Sequence, residues 1–166
     1  MKRVLLTGMS GTGKSSVIAE LAARGYKAVD TDYDGLSEVV SVPEDEPTGL
    51  DPGQDWVWRE DRIHHLLSTD DSDLLFLGGC APNQGMFYPQ FDHIILLTAP
   101  AHVIVERLTT RTNNPYGKRP EEITRTLDLL QTVEPLLRRG AGAVIDTSVP
   151  LNQVVAEVLR LVGAPA

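Results

Sequence analysis

The 166-residue chain has one cysteine, Cys80, and so has no internal disulfide framework. No apolar run approaches the roughly 20 residues that a membrane-spanning helix needs. Positive charge is scarce as well: 15 lysines and arginines stand against 23 aspartates and glutamates, for a formal net charge of -8. Nucleic acids and anionic membranes attract clustered positive charge, so we expect neither as a partner. A first strand begins directly at the N-terminus, without a secretory signal, and we expect a cytoplasmic protein.

Five short apolar segments alternate with helical patterns along the chain. Strands separated by helices indicate an α/β fold with a parallel sheet covered on both faces. Hydrophobic residues make up 42% of the chain, enough for one core in a single domain, residues 1–166. The predicted strands are 3–7, 27–31, 74–78, 93–98 and 143–146. The predicted helices are 16–24, 56–67, 101–110, 120–139 and 150–162.

Residues 8–15 read G-M-S-G-T-G-K-S and match the phosphate-binding pattern G-x-x-x-x-G-K-[ST]. A predicted strand precedes the motif and a helix follows it, so the helix N-terminus faces the phosphates. Lys14 can reach the β- and γ-phosphates, and the Ser15 hydroxyl can hold Mg²⁺. No N/T-K-x-D sequence for reading guanine occurs, which favours ATP over GTP. The predicted nucleotide-binding residues here are Gly8, Ser10, Gly11, Thr12, Gly13, Lys14, Ser15 and Ser16.

Two aspartates, Asp30 and Asp32, end the second predicted strand. Side chains two residues apart on an extended segment point to the same side, and open α/β sheets bind ligands at the carboxyl ends of their strands. We predict that Asp30 orients Mg²⁺ through water, and that Asp32 orients or deprotonates the attacking hydroxyl of an acceptor. The alternative is a pair of aspartates that cap a turn or a helix.

Arg107 and Arg111 are four residues apart and share one face of a predicted helix. Guanidinium groups suit two tasks there, stacking on adenine and binding phosphate oxygens. A polar insert, residues 112–120, follows, and we predict that it forms a lid. Lys118 and Arg119 at its far end are expected to approach the γ-phosphate when the lid closes. The alternative for these four side chains is a solvated basic surface.

Residues 33–70 are predicted to bind the acceptor. Arg59 in this region is expected to hold an anionic group or a hydroxyl of that molecule. Gly78 and Gly79 follow the third predicted strand, where glycine allows the backbone to approach a ligand closely. Asn83 is expected to bind acceptor hydroxyls. The alternative for the last three residues is a tight turn that binds no ligand.

Taken together, these residues resemble the shikimate kinase and nucleoside monophosphate kinase group of P-loop kinases, over almost the whole chain. The resemblance rests on 8–15, 30–32, Arg59, 78–79, 107–111, 118–120 and 135–136. It implies a three-layer P-loop kinase fold, with a five-stranded parallel sheet flanked by helices and a lid, and Mg·ATP as phosphoryl donor. It implies a monomer as well, with a dimer as the alternative. It also implies that Arg59 grips an acceptor carboxylate, that Arg107 lies near adenine and that Arg119 is the lid residue.

The acceptor side departs from both branches of that group. Val133 stands where shikimate kinases carry a second carboxylate-binding arginine, and residues 81–84 lack the arginine with which monophosphate kinases grip a phosphate. Residues 42–55 form an acidic segment rich in Pro and Gly, predicted to be a loop. The sequence thus predicts an ATP-dependent kinase acting on a hydroxyl of a small, polar, neutral or cationic molecule. A nucleoside monophosphate kinase and an ATP-binding regulatory module remain as alternatives.

Overall fold

A computed structural model describes residues 1–166, which form two sheets. The seven strands are β1 (Lys2–Thr7), β2 (Lys27–Asp30), β3 (Ser37–Ser41), β4 (Gln54–Trp58), β5 (Leu74–Gly78), β6 (His93–Thr98) and β7 (Ala143–Asp146). Five of them make a parallel sheet in the order β2-β5-β1-β6-β7, and β3 and β4 pair as a separate antiparallel hairpin. The predicted five-stranded parallel sheet is confirmed.

Six α-helices connect and cover the strands. They are α1 (Lys14–Ala23), α2 (Glu60–Ser68), α3 (Ala101–Thr110), α4 (Pro120–Thr132), α5 (Glu134–Gly140) and α6 (Leu151–Val162), and a 3₁₀ helix spans Gln84–Gln90. None of these helices is both long and apolar enough to cross a membrane.

The central strand β1 divides the core into two layers because its side chains alternate between the faces of the sheet. Val4 and Leu6 pack with buried residues of α1 and α6 on one face. Leu5 packs on the other face with Ile63 of α2 and with Phe87. All three β1 residues are fully buried, as expected for a strand covered on both sides.

Two predicted helices were wrong in detail. The segment predicted as a helix from residue 56 begins instead with β4, because Trp56 pairs with Val39 and the aromatic and β-branched residues of this stretch suit a hairpin. The helix predicted over 120–139 is broken between α4 and α5. Pro135 has no N–H for a bond within a continuous helix, so it occupies the first turn of a new one.

The acidic segment is the tip of the β3–β4 hairpin, with its loop running from residue 42 to residue 53 and the last two predicted loop residues lying in β4. The five parallel strands all end at the same edge of the large sheet. The phosphate-binding motif follows β1 at that edge, and Asp30 ends β2 there. The sheet therefore brings the predicted donor residues to one place.

Candidate active site

The loop between β1 and α1 is shaped by glycines and leaves a helix N-terminus open. A Cβ at Gly8 would lie 2.3 Å from the backbone oxygen of Leu97, so no side chain fits there. Gly13, directly before α1, has φ 95°, in the left-handed region that favours glycine. No side chain caps α1. Its first N–H groups and the positive end of its dipole can therefore meet an anion.

Lys14 places a cation inside this loop. Its Nζ donates to the backbone oxygens of Gly8 at 2.6 Å and Met9 at 2.9 Å. Burial lowers the pKa of Lys14, and the charges of Asp32 and Asp30 oppose that shift. A poorly hydrated ammonium gains strongly from an incoming anion, because the anion replaces the water it has lost. The cradle thus fits the phosphates of a nucleotide.

Ser15, Asp30 and Asp32 are joined in a short chain of hydrogen bonds. The Ser15 hydroxyl donates to Asp30 Oδ2 at 2.5 Å, and the backbone N–H of Asp32 donates to Asp30 Oδ1 at 3.0 Å. A hydroxyl and a carboxylate are the hard oxygen ligands that Mg²⁺ prefers. No cluster of three or more His, Cys, Asp or Glu side chains is present to hold a metal ion by itself. These residues fit a Mg²⁺ ion that takes its other ligands from phosphate and water.

A cleft of about 360 Å³ opens beside these hydrogen-bonded residues, and most of the predicted nucleotide-binding residues line it. Its lining includes Ser10, Gly11, Gly13, Lys14, Ser15, Ser16, Asp32, Arg107 and Arg111. Gly8 and Thr12 lie outside the lining and shape the loop instead, the buried Thr12 hydroxyl donating to the Met9 oxygen at 2.7 Å.

Several lining residues lie outside the predicted site, among them Thr147, Val149 and Leu151, whereas Tyr33 and Asn113 fall within the predicted acceptor region and lid. Thr147 and Val149 directly follow β7, at the carboxyl edge where ligands of such sheets bind. The sequence analysis applied that rule to the second predicted strand, and it would have found these two residues had it been applied to the last strand.

Arg107 and Arg111 both reach the cleft from α3. Arg107 donates to Gly11 O at 3.3 Å, to Thr147 Oγ1 at 2.8 Å and to Thr147 O at 2.5 Å, so it ties the phosphate loop to the segment after β7. Arg111 donates to the Tyr116 oxygen at 2.7 Å, and its buried Nε has no hydrogen-bond partner. Burial lowers the pKa of Arg111, while Tyr33 and Asp32 raise it. An anion near Arg111 would compensate its guanidinium for the water that burial removes.

The lid arginine does not line the cleft. Arg119 is exposed and its guanidinium lies 3.3 Å from Asp51 of the acidic hairpin loop and 3.4 Å from Glu122. Lys118, the other basic residue of the insert, donates to backbone oxygens at the end of α3, including Leu108 at 3.0 Å. The structure gives Lys118 a helix-capping role. A catalytic role for Arg119 stays a prediction that requires the insert to move.

The predicted acceptor residues make contacts within the protein. Arg59 lies 3.4 Å from Glu38 in an ion pair. A Cβ at Gly78 would meet Ile18 at 2.5 Å, and one at Gly79 would meet Thr31 at 1.9 Å, so both glycines allow protein packing. The space beside each α-carbon is thus filled by protein, and an approach of their backbone to a ligand stays a prediction.

Asn83 likewise has its side-chain amide engaged within the protein. It accepts from the backbone N–H of Trp58 at 3.1 Å and donates to the Trp58 oxygen at 2.9 Å. One donor and one acceptor position of the amide are therefore used within the protein, and the contact with acceptor hydroxyls stays a prediction.

Comparison with known proteins identifies the family of this chain. Residues 4–128 match the family model described as an AAA domain. The chain belongs to this family. Two curated relatives match nearly the whole chain: shikimate kinase 2 of Yersinia enterocolitica, 25% identical over 96% of this chain and 95% of its own, and the shikimate kinase of Syntrophus aciditrophicus, 29% identical over 96% and 90%.

Solved structures show the same fold. Shikimate kinase from Acinetobacter baumannii in complex with shikimate aligns with a TM-score of 0.65 and 21% identity, covering 98% of this chain and 93% of that one. A sugar kinase from Janibacter sp. aligns with a TM-score of 0.58 and 19% identity, covering 100% and 99%. The family and these likenesses support a P-loop kinase of the shikimate kinase group.

Proposed function

We propose that this protein transfers the γ-phosphoryl group of ATP to a hydroxyl of a small, polar molecule that is neutral or cationic. The observation that carries the proposal is the position of Asp32, which lines the same cleft as Lys14 and Arg111. A carboxylate beside two phosphate-binding cations is the arrangement that phosphoryl transfer to an alcohol needs.

Each residue has a task that follows from its surroundings. Lys14 and Arg111 stabilise the negative charge that spreads over the transferring group, and they do so well because burial has removed competing water. Ser15 would hold Mg²⁺ directly and Asp30 would orient it through water, and the ion would neutralise phosphate charge. Asp32 accepts a hydrogen bond from the acceptor hydroxyl and then its proton as the bond to phosphorus forms.

The acceptor is proposed to lack a carboxylate because the chain offers no free clamp for one. The Arg59 guanidinium lies 3.4 Å from Glu38 in a partly exposed ion pair, and its Nε makes no hydrogen bond. Val133, at the position of the second arginine of shikimate kinases, packs against the apolar cluster that includes Met9 and Leu137. A single arginine beside a carboxylate binds an anionic acceptor less well than two free arginines do.

The charge around the hairpin favours a neutral or cationic acceptor for a second reason. Residues 42–55 contain five acidic residues, Glu44, Asp45, Glu46, Asp51 and Asp55, and no lysine or arginine. Burial is the main cause that raises the pKa of Asp55, and the charge of Glu46 adds to it while the Trp56 N–H opposes it. Crowded carboxylates repel an anionic acceptor and attract a cation. A monophosphate acceptor is disfavoured on the same ground.

The proposal is tested by replacing Asp32 with Asn and measuring ADP formation with Mg·ATP and a set of acceptors: D-glucosamine, D-glucose, adenosine, shikimate, D-gluconate and adenosine monophosphate. We expect Asp32→Asn to lower kcat by about a hundredfold or more, because the acceptor loses its base. Asp34→Asn is the matched control, since Asp34 has φ 59°, which Asn tolerates, and lies outside the cleft. Wild-type rates in Asp32→Asn would refute the role of Asp32.

A further inference from the structure

The carboxylate of Asp32 has a partner that no sequence motif indicated. Trp56 Nε1 donates a hydrogen bond to Asp32 Oδ1 at 2.9 Å, across 24 positions of the chain. Trp56 is half-buried and lies on β4, in the hairpin outside the parallel sheet. With Ser15 bonded to Asp30 and Asp30 to the backbone of Asp32, the contact extends one chain of hydrogen bonds from the phosphate loop to the hairpin.

The strand that carries Trp56 is firmly attached to the domain. Trp58, two residues further along and therefore on the same face of β4, is 1% exposed and packs against Phe87 with ring centroids 5.8 Å apart. Asn83 holds the backbone N–H and oxygen of Trp58, and the backbone of Arg59 donates to Leu36 at 2.8 Å. These contacts fix the end of β4 and so fix the position of the Trp56 indole.

We infer that Trp56 is a positioning residue for phosphoryl transfer, which holds the Asp32 carboxylate in one orientation through its indole N–H; this inference rests on the proposed function. By binding Oδ1, it leaves Oδ2 for the acceptor hydroxyl. An indole N–H carries no charge and does not give up its proton at any physiological pH. It therefore orients the carboxylate without neutralising the negative charge that a proton acceptor needs.

The chain contains a matched control for this inference. It has two tryptophans, and the Nε1 of the second, Trp58, is buried with no hydrogen-bond partner. Trp56→Phe and Trp58→Phe are thus the same chemical change, two residues apart on one strand. Only the first removes a bond to Asp32.

The kinetic test compares these variants with ATP, Mg²⁺ and whichever compound of the acceptor set reacts fastest, or with water as acceptor if none exceeds slow hydrolysis. We expect Trp56→Phe to lower kcat roughly tenfold with the KM for ATP unchanged, because one hydrogen bond to a charged group is lost. Trp58→Phe keeps the Trp56 N–H, so it should lower kcat less than Trp56→Phe does, and it should lower the melting temperature because it removes buried packing against Phe87. Equal kcat values for wild type and Trp56→Phe would overturn the inference.

A spectroscopic test examines the contact without any acceptor. In a Trp58→Phe background Trp56 is the only tryptophan, and removing the carboxylate with Asp32→Ala should change its emission maximum and intensity. An unchanged spectrum would mean that the contact does not exist and would overturn the inference.

The two proposals fail in different ways. If Asp32→Asn abolishes transfer while Trp56→Phe does not change it, the inference about Trp56 is wrong and the proposed function stands. If Asp32→Asn has no effect, the proposed function itself is wrong.

Discussion

The donor side and the acceptor side of this protein are built from different kinds of structure. The donor side lies at the carboxyl edge of the parallel sheet, where the phosphate loop, Asp30 and the segment after β7 meet. The acceptor side is an antiparallel hairpin that shares no strand pairing with that sheet. Its loop is held by side-chain contacts with α4 and the insert: the exposed Asp51 lies 3.0 Å from Arg125, and the partly buried Tyr116 hydroxyl donates to the Gly49 oxygen at 2.7 Å.

This difference explains why the phosphate-binding residues follow the pattern of shikimate kinases while two arginine positions on the acceptor side depart from the patterns of related kinases. Residues of the phosphate loop are constrained by backbone geometry and by burial, so few substitutions are possible there. Exposed ion pairs contribute little to stability, so a hairpin that depends on them can change its charge at small cost. The fold thus allows the acceptor to vary while the donor site is kept.

Replacing Lys14 with Met should have the largest effect, because it removes the buried cation of the donor side. We expect kcat to fall by about a thousandfold, measured as ADP release under saturating acceptor. Lys27→Met serves as the control, since Lys27 is the first residue of β2, at the end of the strand far from the phosphate loop, and pairs with Asp71. Loss of activity in both variants would show that Lys14→Met acts through folding and not through phosphate charge.

Arg119 connects the two sides, and its replacement should have the next largest effect. If the insert closes and brings Arg119 to the γ-phosphate, Arg119→Ala should lower kcat about a hundredfold. Arg125 binds the same carboxylate of Asp51, so Arg125→Ala removes a comparable contact without a proposed role in transfer. Equal, small effects in the two variants would restrict Arg119 to holding the hairpin.

Glu38 on the acceptor side should control the preference for anionic acceptors. Glu38→Gln removes the charge that balances Arg59, so the KM for D-gluconate or shikimate should fall about two- to fivefold, the range of a partly exposed ion pair. The KM for ATP should not change. Glu20→Gln, which breaks the Glu20–Arg24 pair on α1, controls for a general effect of net charge. A raised KM for these anions would contradict the assigned role.

The sequence predicted the donor side well because its signals are local. The phosphate motif, the strand before it and the helix after it are contiguous, and Asp30 and Asp32 are located by the end of one strand. The contacts of the predicted acceptor residues could not be read from the sequence, because they join distant residues. Asn83 is hydrogen-bonded to Trp58 across 25 positions, and Arg59, just before α2, is paired with Glu38 of β3.

Trp56 illustrates what could not be predicted from the sequence, namely its strand and its hydrogen-bond partner. Two tryptophans two positions apart, followed by a helical pattern, predicted the start of a helix, and only pairing with β3 makes this stretch a strand. Tertiary pairing commonly overrides such local preferences. The bond from its indole to Asp32 depends on that pairing and has no signal in the sequence.

The central claim is that the chain transfers phosphate from ATP to an acceptor without a carboxylate. It is tested most directly by incubating the wild-type protein with Mg·ATP and the acceptor set and identifying phosphorylated products by mass spectrometry. The account predicts a phosphorylated alcohol from a neutral or cationic compound, formed faster than shikimate phosphate or phosphorylated gluconate. Shikimate as the fastest acceptor, or tight ATP binding with no phosphorylated product from any of them, would contradict it.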